Sequence, residues 1–195
     1  MKTNKLVAVI LSGVAAFFSL LAIFMLIPKD VSGNVWSYLD RVFVFLSVGC
    51  LLTFAILDFA GITFNKYLYA ISLSGIAITF LIDAIQDIVD MTEPYSYGYY
   101  SFTDIFRNLF AIFVLVVFAY GIVKKNVAAT VFSLTYLGAG FFFSGLNAFN
   151  GMFFSLFKEY LKFLPQFSSF LYYNGLFLFY LTLAFIAYRA HKDEL

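Results

Sequence analysis

Asp83, Gln86, Asp87 and Asp90 fall three or four residues apart inside an otherwise apolar stretch, so on a helix they share one face. Carboxylates one turn apart, as Asp83 and Asp87 would be, can divide acid and base roles or hold a cation or the polar part of a solute. Asn147 and Asn150, three residues apart further along the chain, repeat the pattern with uncharged amides, and Arg107 adds a cation. Asp104 is the simplest partner for Arg107, three residues before it, with the aspartate stripe as the other. The candidate ligand-binding set is therefore Asp83, Gln86, Asp87, Arg107, Asn147 and Asn150.

Other chemistries lack their residues. Nucleophilic catalysis needs a base beside the nucleophile, yet His191 is the single histidine and sits in a charged tail, where such a ring is ordinarily just solvated. There is no Gly-x-Ser-x-Gly elbow, and Ser144-Gly145 lacks the glycine two residues earlier that an intramembrane serine protease pattern wants. Cys50, the one cysteine, lies in an apolar run far from His191, so neither an intrachain disulfide nor a His/Cys metal site follows. No catalytic residue, metal ligand or cofactor is assigned.

The positions that could do chemistry must be carried by elements suited to the rest of the chain. Of its 195 residues, 63% are hydrophobic and 12% charged, about half the charge that a water-facing domain carries, where roughly 25% is usual. That shortfall leaves too few polar residues to cover a surface in water. A lipid bilayer removes the problem, because helices satisfy their own peptide groups and present apolar side chains outward. Transmembrane strands would alternate polar and apolar positions, and these runs are apolar on both sets. The fold class expected is all-α, a polytopic transmembrane bundle forming a single domain over 1–195. A net charge of +1 offers no basic field, so nucleic acid is excluded as a partner and the lipid bilayer is the first one expected.

Crossing the hydrocarbon takes about 20 apolar residues, and six runs of that order are present, at roughly 6–27, 42–64, 67–89, 105–123, 127–149 and 167–188. The first follows Lys2 and Lys5 and is too long for a typical signal core, so it reads as an uncleaved span in spite of the small residues Val31-Ser32-Gly33. Between spans five and six, residues 152–164 place Phe153, Phe154, Phe157, Leu161 and Leu164 at helical spacing, which suggests a short interfacial helix. The loop after span three carries Tyr95, Tyr97, Tyr99 and Tyr100, rings suited to the headgroup layer. At about 1.5 Å per residue, only Asp83 of the stripe falls within hydrocarbon, and only by a few ångströms.

Six spans put both termini on one side. Lys2, Lys5, Lys66, Lys124, Lys125, Arg189 and Lys192 share the side of the termini, against Lys29, Arg41, Arg107, Lys158 and Lys162 opposite, which favours cytoplasmic termini in the plasma membrane. The final Lys192-Asp193-Glu194-Leu195 spells the endoplasmic-reticulum retrieval signal and makes that compartment the alternative. A shift of 64 residues sets spans two and three on four and five, with Asp83–Asp87 against Asn147–Gly151, as a duplicated hairpin would.

Two stretches of small residues permit close helix approach: Ala8, Ser12, Ala15, Ala16 and Ser19, and Gly138, Gly140, Ser144 and Gly145. Packing inside the bundle is the first expectation for both, with docking onto a membrane-protein partner or a second copy as the other. In size, helix number and the small-residue first span the chain resembles the substrate-binding subunits of energy-coupling-factor vitamin transporters, in architecture alone and with no shared motif. The function expected is non-enzymatic binding or movement of a small solute or cation through the outward polar cluster. An accessory or scaffold protein of a larger membrane complex is the alternative, and a membrane enzyme using paired carboxylates is third.

Overall fold

Uninterrupted apolar runs become six α-helices: α1 (Lys2–Leu26), α2 (Val35–Phe59), α3 (Lys66–Thr92), α4 (Phe102–Val123), α5 (Val127–Lys158) and α6 (Phe163–His191). A computed structural model of the chain describes residues 2–26, 35–62, 66–92, 102–158 and 163–192. The tyrosine loop, Val31-Ser32-Gly33 and the last three residues of the terminal tetrapeptide lie outside the described residues. No strand occurs among the described residues. All six helices contain an apolar segment of 22 to 30 residues, long enough to cross a membrane. The chain is a six-span, all-helical membrane protein.

The turns show why the helices stop where they do. Gly61, at φ 77°, ends α2 by letting Ile62 N–H bond the Leu57 carbonyl (3.0 Å) and Gly61 N–H the Asp58 carbonyl (3.1 Å). Span two therefore finishes at Phe59, short of the expected residue 64, and begins earlier, at Val35. Lys125, at φ 51°, closes α4 the same way, with Asn126 N–H on the Gly121 carbonyl (2.8 Å). Asn126 then caps α5 by accepting the Ala129 N–H at 3.1 Å. Residues 152–158 continue α5 without a break at Asn150-Gly151, so as far as Lys158 the separate interfacial helix is replaced by a longer α5. A glycine in a helix costs about 1 kcal/mol, too little to break a strongly apolar run. Residues 159–162 lie outside the described residues.

Each helix packs on its neighbours in the chain, and α6 closes the ring by packing on both α5 and α1 while leaning inward against α2 and α4. The span in α6 is 56% buried by other helices, that in α5 only 17%. The core follows α6, through Leu171, Leu176, Phe179, Leu183 and Ile186, against Ala15 and Ala22 of α1, Val44, Val48 and Leu51 of α2, and Val114 and Phe118 of α4. Close approach of α1 and α6 uses Gly175, whose missing Cβ would lie 3.1 Å from Ser19 Oγ and 3.4 Å from the Ala15 carbonyl. Ser168 Oγ donates across the same interface to the Ala22 carbonyl at 2.7 Å. We call the end where α2, α4 and α6 begin the upper end; α1 begins and α6 finishes at the lower end.

Candidate functional site

The first turns of α2, α4 and α6 meet the last turns of α3 around a cavity of about 760 Å³, walled on its remaining side by the middle of α5. From α2 come Asp40 and Arg41, from α3 Thr79, Phe80 and Asp83, from α4 Arg107, Asn108 and Ala111. Helix α5 gives Tyr136, Gly140, Phe141 and Ser144, and α6 gives Ser169, Tyr172 and Tyr173. Counted at about 1.5 Å per residue, Asp40 lies about 3 Å and Asp83 about 9 Å inside the apolar spans Tyr38–Phe59 and Leu68–Val89. Charge at such depth is costly unless it faces the bundle interior, water or a ligand.

Asp40 is 6% exposed. Tyr172 donates its hydroxyl to this carboxylate, and Oδ1 has no hydrogen-bond partner. Arg41 lies over the Tyr172 ring, its guanidinium carbon 5.2 Å from the centroid, and attracts Asp40 electrostatically. Asp83 is close enough to Asp40 and to Asp87 to be repelled by both. Asn108, buried, turns its amide to Asp87 Oδ2 at 3.1 Å. Arg107 forms an ion pair with Asp104 at 3.0 Å while most of its side chain stays exposed. Phe141 lies between Phe80 (6.0 Å) and Tyr180 (5.2 Å, stacked), giving the cavity an aromatic wall.

The lower end is tied rather than open. Arg189, 1% exposed, donates to both oxygens of Asp58, through Nη1 to Oδ2 and through Nη2 to Oδ1 at 3.4 Å. Lys5 adds bonds to Asp58 Oδ1 (2.9 Å) and to the Asp58 carbonyl (2.8 Å). One carboxylate thus joins α1, α2 and α6. Thr130 Oγ1 and His191 Nε2, 3.0 Å apart, join α5 to α6 beside it. His191 is therefore half-buried in the last turn of α6, not a freely solvated tail residue.

Of the residues singled out in the sequence, Asp83 and Arg107 line the cavity and Asp87 reaches it through Asn108. Gln86 is half-buried without lining it. Asn147 and Asn150 are exposed on α5, in an adjoining recess of about 470 Å³ that shares Phe143 and Ser144 with the main cavity. Ala8, Ser12, Ala15 and Ser19 are buried and Ala16 packs on the core, with Ala15 and Ser19 against Gly175 of α6. On α5, Gly140 and Ser144 line the cavity, a Cβ on Gly145 would lie a tight 3.3 Å from the Asn174 amide nitrogen, and nothing stands within 4 Å of such an atom on Gly138.

Sequence reasoning passed over Asp40, Arg41, Asn108, Tyr172 and Tyr173. Asp40 and Arg41 lay just before the expected start of span two, and a helix that begins about two turns earlier, at Val35, brings both inside. The Tyr172-Tyr173 pair beside Asn174, in a span otherwise poor in polar groups, was the signal available in α6. Among the described residues no group of three His, Cys, Asp or Glu is placed to hold a metal ion. Compared with family models, curated proteins and solved structures, the chain has no match, so the architectural resemblance to vitamin-transporter subunits gains no support from them.

Proposed function

We propose that the protein binds a small solute in the upper cavity and acts on it by holding it or passing it on, without chemical change. The observation that carries this reading is a cavity of about 760 Å³ set within apolar spans, whose wall combines charged groups with aromatic faces. Ligand pockets commonly enclose ~300–1,000 Å³ and combine an apolar wall with a few convergent polar groups. We take the upper end to face the exterior of the plasma membrane, with both termini cytoplasmic, following the Lys/Arg distribution. Passage of a solute onward would require the Asp58 clamp at the lower end to part. The test is thermal unfolding of the detergent-purified protein against a solute panel. A solute that raises the melting temperature should lose its effect in the double variant Asp83→Asn, Asp87→Asn; an undiminished shift would remove the site.

A second reading has one observation in its favour. Asp40 and Asp83 face a common cavity, and two carboxylates are the minimum for general acid and base work. This is a different pair from the expected Asp83 and Asp87. Recovery of the bound solute unchanged after prolonged incubation, checked by mass spectrometry, separates binding from catalysis. An accessory or scaffold role would need a docking face other than the small-residue side of α1, which α6 covers.

A further inference from the structure

We propose that the cavity selects a small organic cation, a protonated amine with an aromatic or apolar body, whose ammonium group docks on Asp40 Oδ1; this rests on the solute-binding reading above. Asp40 is 94% buried, faces the cavity and leaves that oxygen without a hydrogen-bond partner. A buried carboxylate oxygen without a donor is costly, and an ammonium supplies the donor and the opposite charge together. The surrounding charges point the same way. Asp40 and Asp83 line the cavity with Arg41 and Arg107, and Arg107 is already engaged by Asp104 outside the lining, so the two lining carboxylates outnumber the one lining guanidinium that Asp104 does not hold. An anion would add to that excess.

The rest of the wall separates an organic cation from a metal ion. Hard cations want several oxygens in one shell, whereas the described residues hold no cluster of three ligating side chains and the cavity is far larger than an ion. Tyr172, Tyr173, Phe80 and Phe141 instead line it with aromatic rings, a surface that packs against an apolar body and attracts a cation lying over a ring face.

Three probes of the same shape and different charge test the proposal on the intact protein in detergent: phenethylamine, phenethyl alcohol and phenylacetate, extended to longer and branched amines with their alcohol and carboxylate counterparts. At least one amine should raise the melting temperature saturably while its neutral and anionic counterparts do not, and Asp40→Asn should weaken that amine ~10-fold or more. Binding by alcohols or carboxylates as tight as by the amines would overturn the cation assignment and leave solute binding intact. No shift with any probe would count against both. Should Asp40→Asn fail to fold, the matched-charge series on the unaltered protein still decides.

Discussion

At the scale of single residues, the two ends of the bundle use buried charge in opposite ways. Asp58 is saturated, with Arg189 on one side and Lys5 on the other, while Asp40 keeps an oxygen without a partner. The saturated site is structural, and its variants should affect stability. Removing one partner of a buried pair strands the other charge and typically costs 3–5 kcal/mol, whereas replacing both with apolar side chains of similar volume is often close to neutral. Arg189→Met should therefore destabilise by about 3 kcal/mol, at the lower end of that range because Lys5 still serves Asp58. Asp58→Leu together with Arg189→Met should recover part of the loss, the remainder reflecting Lys5, which then keeps only the carbonyl of position 58. Thermal unfolding in one detergent compares the three proteins, and a double variant as damaged as the single one would contradict the desolvation argument. Neither residue drew attention in the sequence as a partner of the other, because 131 positions separate them and only closure of α6 onto α1 and α2 brings them together.

At the scale of helices, the number of spans and their approximate positions could be read directly, since length and apolarity alone decide whether a helix crosses a bilayer. Which face of each helix turns inward could not. In water, the buried side differs from the solvated side in polarity; in lipid both are apolar, and α5, the least buried span, is nearly as apolar as α6, the most buried. Small residues are a better guide to facing, but only where a partner is close. Gly75 and Gly138 make the contrast measurable. A Cβ on Gly75 would lie 2.0 Å from Ser47 Oγ and 3.2 Å from Ser47 Cβ, where Ser72 also bonds the Ser47 carbonyl at 2.8 Å. Gly75→Ala should force α2 and α3 apart and cost about 1–3 kcal/mol. At Gly138, with nothing within 4 Å, alanine meets no obstacle and should gain up to about 1 kcal/mol of helix propensity. Equal effects of the two substitutions on the melting temperature would show that helix separation there is not set by this contact.

At the scale of the whole molecule, the closed ring of helices makes the two ends unequal, tied below by Asp58 and hollow above around Asp40 and Asp83. On the proposed reading the cavity takes solute from the upper side only, and a water-borne reagent should then reach it from that side only, which makes accessibility a direct test of orientation. Cys50 is the single cysteine, so Cys50→Ser clears the background for thiol labelling. In that background Ser144→Cys places a thiol on the cavity wall, and Lys124→Cys places one in the exposed α4–α5 turn at the lower end. A charged, membrane-impermeant maleimide applied to intact cells should modify the protein carrying Ser144→Cys and spare the one carrying Lys124→Cys, with the order reversed in inside-out vesicles. Labelling of Lys124→Cys from outside would invert the assignment of cytoplasmic termini. Labelling of Ser144→Cys from both sides would mean that the lower clamp does not seal the bundle. An amine that occupies the cavity should slow modification of Ser144→Cys and leave that of Lys124→Cys unchanged, because only the first thiol shares its space with the ligand.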